Sequence, residues 1–96
     1  MTANDLTAFC VDYLNLKGHY VWRQNNVRVA GRKFRGMKGV SDVVGFTKNG
    51  RALYVEIKIP PDRQSNEQKE FQAECNKRGA IYLVIENEKQ LQVSGL

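Results

Sequence analysis

Apolar residues near the start of the chain repeat with the period of an α-helix. They fall at i, i+3, i+4, i+7 and i+8, which places them on one stripe of a helix; they are Leu6, Phe9, Cys10, Tyr13 and Leu14. The pattern predicts a first helix over residues 4–17. Gly18 ends it, because glycine adopts the left-handed conformation of a helix C-terminus without a Cβ clash.

Three strands are predicted to follow. Tyr20, Val21 and Trp22 favour a strand over residues 19–24, and a second strand covers residues 43–46. Asn49-Gly50 supplies the positive φ angles of a tight hairpin, which returns as a third strand over residues 51–59. Pro60-Pro61 ends that strand, because proline has no amide hydrogen for the ladder.

The last third of the chain predicts a helix and a strand. Ser65 with Gln68 forms the pattern of a capping box, so a second helix should span residues 66–78 and end at Gly79. The continuous apolar run over residues 80–85 is typical of a strand buried on both faces. The tail from Glu88 has room for one short helix or turn.

This order predicts an α/β fold with a small mixed sheet flanked by helices. A chain of 96 residues has room for one core, so we expect a single domain over residues 1–96. A core this small gives the folded protein little stability, and dimerisation is a plausible way to add to it.

Composition excludes several classes of protein. No apolar run approaches the roughly 20 residues that span a bilayer, and residues 1–5 lack the basic start and apolar stretch of a signal peptide. We therefore expect a soluble, cytoplasmic, non-exported protein with no membrane partner. Cys10 and Cys75 lie far apart without metal-ligand spacing, and both are predicted to be buried thiols.

Positive charge is concentrated in one stretch. Residues 13–41 contain no acidic residue and seven cations, so they carry +7, and the other eight basic and ten acidic residues sum to −2. This uneven distribution of charge favours contact with a phosphate backbone, although a solvated basic face is the alternative. Within this stretch, residues 31–39 hold three glycines and four cations, which predicts a basic loop.

The third predicted strand carries the first candidate for chemistry. Leu53, Val55 and Ile57 alternate with Tyr54, Glu56 and Lys58, so Glu56 and Lys58 share one face. Charged groups in a central strand lose water, which is costly unless something compensates. The two residues either form a structural ion pair or take part in a reaction.

Hairpin register decides whether a second carboxylate joins Glu56. A two-residue turn at Asn49-Gly50 would set Asp42 opposite Ile57, on the wrong face. A three-residue loop, Lys48-Asn49-Gly50, would set Asp42 opposite Glu56, and we predict this register.

Two carboxylates and a strand carbonyl suit Mg²⁺ or Mn²⁺, which prefer oxygen ligands and retain waters. His19 is the only histidine, so the sequence offers no zinc site. Lys58 is then suited to orient or deprotonate an attacking water, or to offset charge developing on phosphorus.

The combined motifs resemble a known nuclease family. They are Gly36, Gly39 and Asp42 ahead of a glycine hairpin, Val55-Glu56-Ile57-Lys58, Ser65-x-x-Gln68, Phe71 and Gly79. Over roughly residues 18–93 the chain resembles the virus-type replication-repair nuclease domain, VRR-NUC, of the PD-(D/E)xK superfamily, and above all its stand-alone phage and bacterial members. The resemblance implies an αβββαβ, restriction-endonuclease-like core, divalent-metal phosphodiester hydrolysis, and branched DNA as the substrate of the small dimeric members.

The resemblance also assigns roles to residues. It matches the metal-binding aspartate to Asp42, the strand glutamate to Glu56 and the lysine to Lys58, with the Ile57 carbonyl as a further metal ligand. Gln68 matches a glutamine of the site, although a capping-box role alone is the alternative.

Two positions depart from the family pattern. A glutamate common in the first helix has Asp5, and less closely Asp12, as its nearest match, and Asp5 is also explained by the helix dipole. Ser41 stands where the family often has proline before the aspartate.

Binding residues are predicted around the site. The cations Arg32, Lys33, Arg35 and Lys38 should contact phosphates that flank the scissile bond. Tyr13, Tyr20, Trp22 and Tyr54 have the spacing of core residues more than of base-stacking residues. His19 is expected at the surface or at a strand edge.

The leading hypothesis is a Mg²⁺- or Mn²⁺-dependent endonuclease that cleaves four-way (Holliday) junctions or related branched double-stranded DNA as a homodimer. One alternative is the same chemistry on flaps or linear duplexes. The other is a DNA-binding module without catalysis.

Overall fold

The structure, a computed structural model, describes residues 1–24 and 40–96 as a four-stranded sheet with helices on both faces. The elements in chain order are α1 (Ala3–Leu16), β1 (Tyr20–Arg23), β2 (Val43–Phe46), β3 (Ala52–Ile57), α2 (Asn66–Arg78), β4 (Ile81–Ile85) and α3 (Glu88–Gln92). The predicted basic loop, with Arg32, Lys33, Arg35 and Lys38, lies outside the described residues.

The sheet is mixed, with spatial order β1-β2-β3-β4. β1 pairs antiparallel with β2, and β2 pairs antiparallel with β3. β3 and β4 are parallel, because the chain crosses back through α2 before it forms β4. The predicted α/β fold with a small mixed sheet is confirmed.

Local sequence sets the helix ends. Thr2 caps α1 in a capping box with Asp5, and Gly18 follows the helix with φ of +96°. Ser65 and Gln68 form the predicted capping box of α2, which covers the predicted residues 66–78 and ends at Gly79 with φ of +81°.

The main core lies between α1 and one face of the sheet. Leu6, Cys10 and Leu14 of α1 pack against Leu53 and Val55 of β3. The short helix α3 contacts α1 and adds Leu91, which is fully buried. Cys10 and Cys75 are both buried and unpaired, as predicted.

The opposite face is only partly covered. α2 packs against β4, and Phe71 of α2 contacts the rings of Tyr54 and Tyr82 at centroid distances of 4.9 and 6.0 Å. Tyr20 and Trp22 lie on the part of this face formed by β1 and β2, and they are 71% and 41% exposed. The core position expected for these two residues is wrong, whereas Tyr13 packs against the core.

The two edges of the sheet differ from expectation. β4 is an edge strand and keeps three half-buried residues, Ile81, Leu83 and Val84, so it is not buried on both faces as predicted. At the β1 edge, the side-chain amide of Asn15 donates to the Val21 carbonyl and its oxygen accepts from the Val21 amide, both at 3.0 Å. This side chain satisfies the outward-facing backbone groups of Val21.

His19 precedes the edge strand, as expected, but its side chain is buried rather than at the surface. It is 7% exposed, and its Nδ1 accepts a hydrogen bond from the Lys48 amide at 3.1 Å. The ring therefore ties the start of β1 to the β2–β3 turn.

Gly45 lies where β1 and β2 approach most closely. A Cβ at this position would overlap the carbonyl oxygen of Tyr20 and stand 2.6 Å from the Cα of Val21. Only glycine fits between the two backbones. In the described ranges, 1–24 and 40–96, no helix is long and apolar enough to cross a membrane.

Candidate active site

The β2–β3 hairpin brings two carboxylates face to face. Val43 pairs with Val55 and Phe46 with Ala52, and the Thr47 amide donates to the Arg51 carbonyl at 2.8 Å. This leaves Lys48-Asn49-Gly50 as a three-residue loop with Gly50 at φ of +84°. The register continues to Asp42 opposite Glu56, on one face of the sheet, as predicted.

The Asp42 side chain replaces a backbone acceptor at the end of β2. Hydrogen-bonded pairs alternate along an antiparallel ladder, so the Ile57 amide would next meet the carbonyl of Ser41. Instead the Ile57 amide donates to Asp42 Oδ2 at 2.9 Å. The Asp42 carbonyl accepts from the Gln24 amide at 2.8 Å, so contacts with both neighbouring strands hold this residue.

The same hydrogen bond orients the Ile57 carbonyl. In a ladder, the amide and carbonyl of one residue point toward the same neighbouring strand. The Ile57 amide points to Asp42, so the Ile57 carbonyl opens on the same side of β3. Three oxygen donors, from Asp42, Glu56 and Ile57, thus gather at this end of the hairpin.

Glu56 is the most buried charged residue of the site, at 2% exposed. Its Oε1 accepts from Gln68 Nε2 at 2.9 Å and lies 3.5 Å from Lys58 Nζ. Its Oε2 is buried and has no hydrogen-bond partner among the described residues. A buried carboxylate oxygen without a partner is costly, so this atom is suited to bind a ligand.

Electrostatics at Glu56 follow from this environment. Burial, and then the negative charge of Asp42, raise the pKa of Glu56 to about 8, although the Lys58 ammonium acts in the opposite direction. The Lys58 side chain is 19% exposed, so the ammonium lies between the buried carboxylate and solvent. Without a further cation, Glu56 therefore retains its proton up to about pH 8.

Gln68 closes the capping box of α2 and also contacts Glu56. Its Oε1 accepts from the Ser65 amide at 2.8 Å, which closes the capping box, and its Nε2 donates to Glu56. The N-terminus of α2 is thereby fixed to β3 by one side chain. A catalytic contribution of Gln68 stays a prediction.

Asp5 has a structural role at the start of α1. Its Oδ2 accepts from the Thr2 amide at 3.1 Å, and hydrogen bonds from Thr2 hold the pKa of this carboxyl below its usual range. This matches the helix-start explanation of an acidic residue in a first turn. The assignment of Asp5, or of the exposed Asp12, to the site stays a prediction.

Tyr82 is a neighbour of the site that the sequence did not indicate. It lies on the site face of β4, two residues before Val84, which pairs with Glu56. Its hydroxyl is buried without a partner among the described residues, and burial raises the pKa of Tyr82 to about 12. Because Tyr82 lies within a continuous apolar run, the sequence does not indicate that its hydroxyl lies beside the site.

Ser41, which stands where the family often has a proline, forms a hydrogen bond that constrains the backbone before Asp42. The residue is fully buried, and its Oγ donates to the Val43 carbonyl at 3.0 Å. A side-chain hydrogen bond therefore constrains the backbone just before Asp42, where a proline ring would otherwise restrict it.

Comparisons with a protein-family model and with a solved structure both indicate one family. A family model of the VRR-NUC domain matches residues 3–88. The chain belongs to the VRR-NUC family. A solved structure described as a VRR_NUC domain superposes with a TM-score of 0.69 at 20% sequence identity, and the match covers 96% of this chain and 92% of that chain. A search of curated proteins finds no match.

Membership in the VRR-NUC family indicates a nuclease of the PD-(D/E)xK type. The name of that superfamily describes an aspartate, then an acidic residue separated from a lysine by one position. In this VRR-NUC domain, Asp42 and Glu56-Ile57-Lys58 have that pattern, and the hairpin register sets the two carboxylates on one face.

Proposed function

We propose that this protein is a Mg²⁺- or Mn²⁺-dependent endodeoxyribonuclease that cleaves branched DNA, four-way junctions in particular, as a homodimer. One observation carries the proposal. Asp42 faces Glu56 across the hairpin, Lys58 stands 3.5 Å from Glu56, and Glu56 Oε2 is buried without a partner among residues 1–24 and 40–96.

The donor set fits a hard divalent cation. Asp42, Glu56 and the Ile57 carbonyl offer oxygen only, and water would complete the coordination. In the described residues, no group of three or more His, Cys, Asp or Glu side chains gathers around one point, so backbone and water ligands must complete this site. A cation would replace the Glu56 proton, balance the charge of the two carboxylates and bind the unpartnered Oε2. PD-(D/E)xK nucleases usually use divalent metals.

A bound divalent cation would polarise a phosphoryl oxygen and lower the pKa of a ligated water. The residues of the chain supply the rest of the chemistry. The Lys58 ammonium, which is partly exposed, is suited to orient the attacking water and to donate to the oxygens of the phosphorane. Gln68 and the Ile57 amide hold Glu56 and Asp42 in place before the substrate arrives.

Charge supports DNA as the polyanion. The acid-free stretch over residues 13–41 carries +7, and Arg32, Lys33, Arg35 and Lys38 lie in it just before Asp42 in sequence. Lysine and arginine contacts to phosphates give affinity that falls with salt and is independent of base sequence. Such contacts suit an enzyme that selects the shape of its substrate.

The junction and homodimer parts of the proposal depend on each other. Resolution of a four-way junction requires two symmetric nicks, and one protomer of 96 residues supplies one candidate site. A two-fold dimer presents two sites in matching orientation. If light scattering at assay concentrations shows a monomer, junction resolution by this protein is refuted.

The test of catalysis uses labelled four-way junction, flap and linear duplexes with Mg²⁺, Mn²⁺ or EDTA. Asp42→Asn and Lys58→Gln should each reduce cleavage about 100-fold or more. The matched controls are Glu74→Gln, a carboxylate whose side chain is 55% exposed on α2, and Lys77→Gln, an exposed lysine of the same helix. These two should cleave like the wild type.

The outcomes separate the alternatives. Cleavage that survives EDTA or both site substitutions refutes the proposed mechanism. Salt-sensitive binding without cleavage under any metal supports the DNA-binding module instead. Cleavage of flaps or linear duplexes with junctions left intact keeps the chemistry and replaces the substrate.

A further inference from the structure

Three exposed aromatic rings form a patch beside the candidate site. Tyr20, Trp22 and Phe46 are 71%, 41% and 50% exposed, and we call them the aromatic patch. The ring centroids of Trp22 lie 6.1 Å from Tyr20 and 6.2 Å from Phe46. Contiguous exposed aromatic residues on a small protein usually mark a binding surface.

The aromatic patch lies on the same sheet face as Asp42 and Glu56. Trp22 pairs with Val44, and Val44 is two residues from Asp42 along β2, about 7 Å at the rise of a strand. Gln24, two residues beyond Trp22, donates to the Asp42 carbonyl. The aromatic patch therefore begins about 7 Å from Asp42, close enough for a substrate bound at Asp42 to reach it.

A groove of about 420 Å³ joins the patch to α2. Its lining includes Trp22, Val44 and Phe46 of the sheet and Phe71 of α2, together with Gln24 and Val40. Gln24 and Val40 flank residues 25–39, which by sequence contain five cations and no acidic residue. Exposed aromatic faces, in a chain whose adjoining sequence is rich in cations, suit nucleic acid, because bases stack on aromatic rings and phosphates bind cations.

A second copy of the chain fits this surface less well. A specific dimer buries about 800 Å² per partner and about 20 to 30 residues on each side, far more than three rings provide. The adjacent β1 edge is also closed to strand addition at Val21, because Asn15 already pairs with its amide and carbonyl.

We propose that the aromatic patch stacks on unpaired bases next to the scissile phosphate, and so favours DNA with splayed or single-stranded segments. The inference rests on the proposed function in taking DNA as the substrate. Stacking of one base on an aromatic side chain changes affinity roughly 5- to 150-fold and tolerates any base sequence. Duplex DNA, whose bases are already stacked, gains nothing from the patch.

Trp22 provides a direct readout, because it is the only tryptophan of the chain. In EDTA, which prevents metal-dependent cleavage, titration with a ten-nucleotide oligothymidylate should quench its fluorescence, whereas a blunt duplex of equal length should not. Trp22→Ala should weaken binding of the oligothymidylate about tenfold, followed by fluorescence anisotropy of a labelled strand, and Trp22→Phe should retain most of the affinity. Duplex binding should stay within about twofold for both variants.

Leu16→Ala is the matched control, since Leu16 is an apolar side chain, 88% exposed, on α1 at the other face of the sheet. It should bind both probes like the wild type. Equal affinity of wild type and Trp22→Ala for the oligothymidylate, or quenching by the duplex alone, overturns the proposal. Fluorescence that changes with protein concentration without DNA, together with a dimer that Trp22→Ala dissociates, assigns the patch to a second copy and also overturns it.

The two proposals fail in different ways. If the wild type cleaves no DNA under any metal but the oligothymidylate quenches Trp22, the proposed function fails and the stacking surface stands. If the wild type cleaves and Trp22→Ala cleaves every substrate equally well, the stacking surface alone fails. Asp42→Asn should lose cleavage while it keeps the quenching.

Discussion

Replacing Glu56 with glutamine should stabilise the metal-free protein at alkaline pH. Glu56 is 2% exposed, and its Oε2 has no hydrogen-bond partner in the part of the chain that the structure describes. Burial and the charge of Asp42 raise the pKa of Glu56 from 4.5 to about 8. Glutamine keeps the shape of the side chain and the oxygen that accepts from Gln68, but it carries no charge.

The sign and size of the effect follow from proton binding. Between pH 4.5 and about 8 the native protein retains the Glu56 proton, whereas the unfolded chain releases it, so the free energy of unfolding falls as pH rises. At about 1.4 kcal/mol per pH unit, this interval corresponds to an upper limit of about 5 kcal/mol. Local rearrangement relieves part of this cost, so we expect Glu56→Gln to gain about 2 to 3 kcal/mol at about pH 8.5 and little at about pH 4.5.

Urea unfolding in EDTA at both pH values measures this difference. Glu74→Gln, at an exposed carboxylate of α2, is the control and should change the free energy of unfolding by less than about 1 kcal/mol at either pH. If Glu56→Gln is no more stable than the wild type at the higher pH, then the Glu56 carboxylate is not isolated as described, and the electrostatic argument for a cation fails with it.

Three further predictions concern the scaffold. Gly45→Ala should lower the free energy of unfolding by about 3 kcal/mol or more, because its Cβ would overlap the backbone of β1. Gly50→Ala should lower it by only about 1 kcal/mol, because only the positive φ is strained there. Equal losses for the two variants in urea unfolding would contradict this. Asn15→Ala should lower the free energy of unfolding by about 1 to 3 kcal/mol and promote association of the protein through the exposed β1 edge. Thermal unfolding and light scattering measure the two effects, and an unchanged Tm would refute the role of this side chain. Burial raises the pKa of Cys10 to about 11, so its thiol should react with a disulfide reagent at about pH 8 only after unfolding; rapid labelling of the native protein would count against the core described above.

Local chemistry was enough to predict the elements of the site and to limit its hairpin to two registers. The Ser65–Gln68 capping box and Gly79 give the bounds of α2, because the residues that end a helix act within one turn of its terminus. Asn49-Gly50 fits a two-residue or a three-residue loop, and the structure has the predicted three-residue loop with Gly50 at positive φ, which sets Asp42 opposite Glu56.

Burial that depends on which parts of the sheet the helices and turns cover could not be predicted in this way. Trp22 and Tyr20 have the composition of core residues, but α2 packs over only one half of the second face and leaves them exposed. His19 is buried because the β2–β3 turn folds onto it, which is a contact between segments far apart in sequence. The apolar run of β4 indicates a strand but not its place at the edge of the sheet.

The buried position of Leu91 in α3 decides how much of the polypeptide a recombinant fragment must include. The family match ends at residue 88, yet Leu91 is fully buried and Leu96 packs against the same core. A fragment trimmed to the family boundary would remove a leucine from the main core, and loss of such a side chain costs about 2 to 5 kcal/mol of a total stability that is typically about 5 to 15 kcal/mol. Such trimming risks an insoluble product for reasons unrelated to the nuclease chemistry.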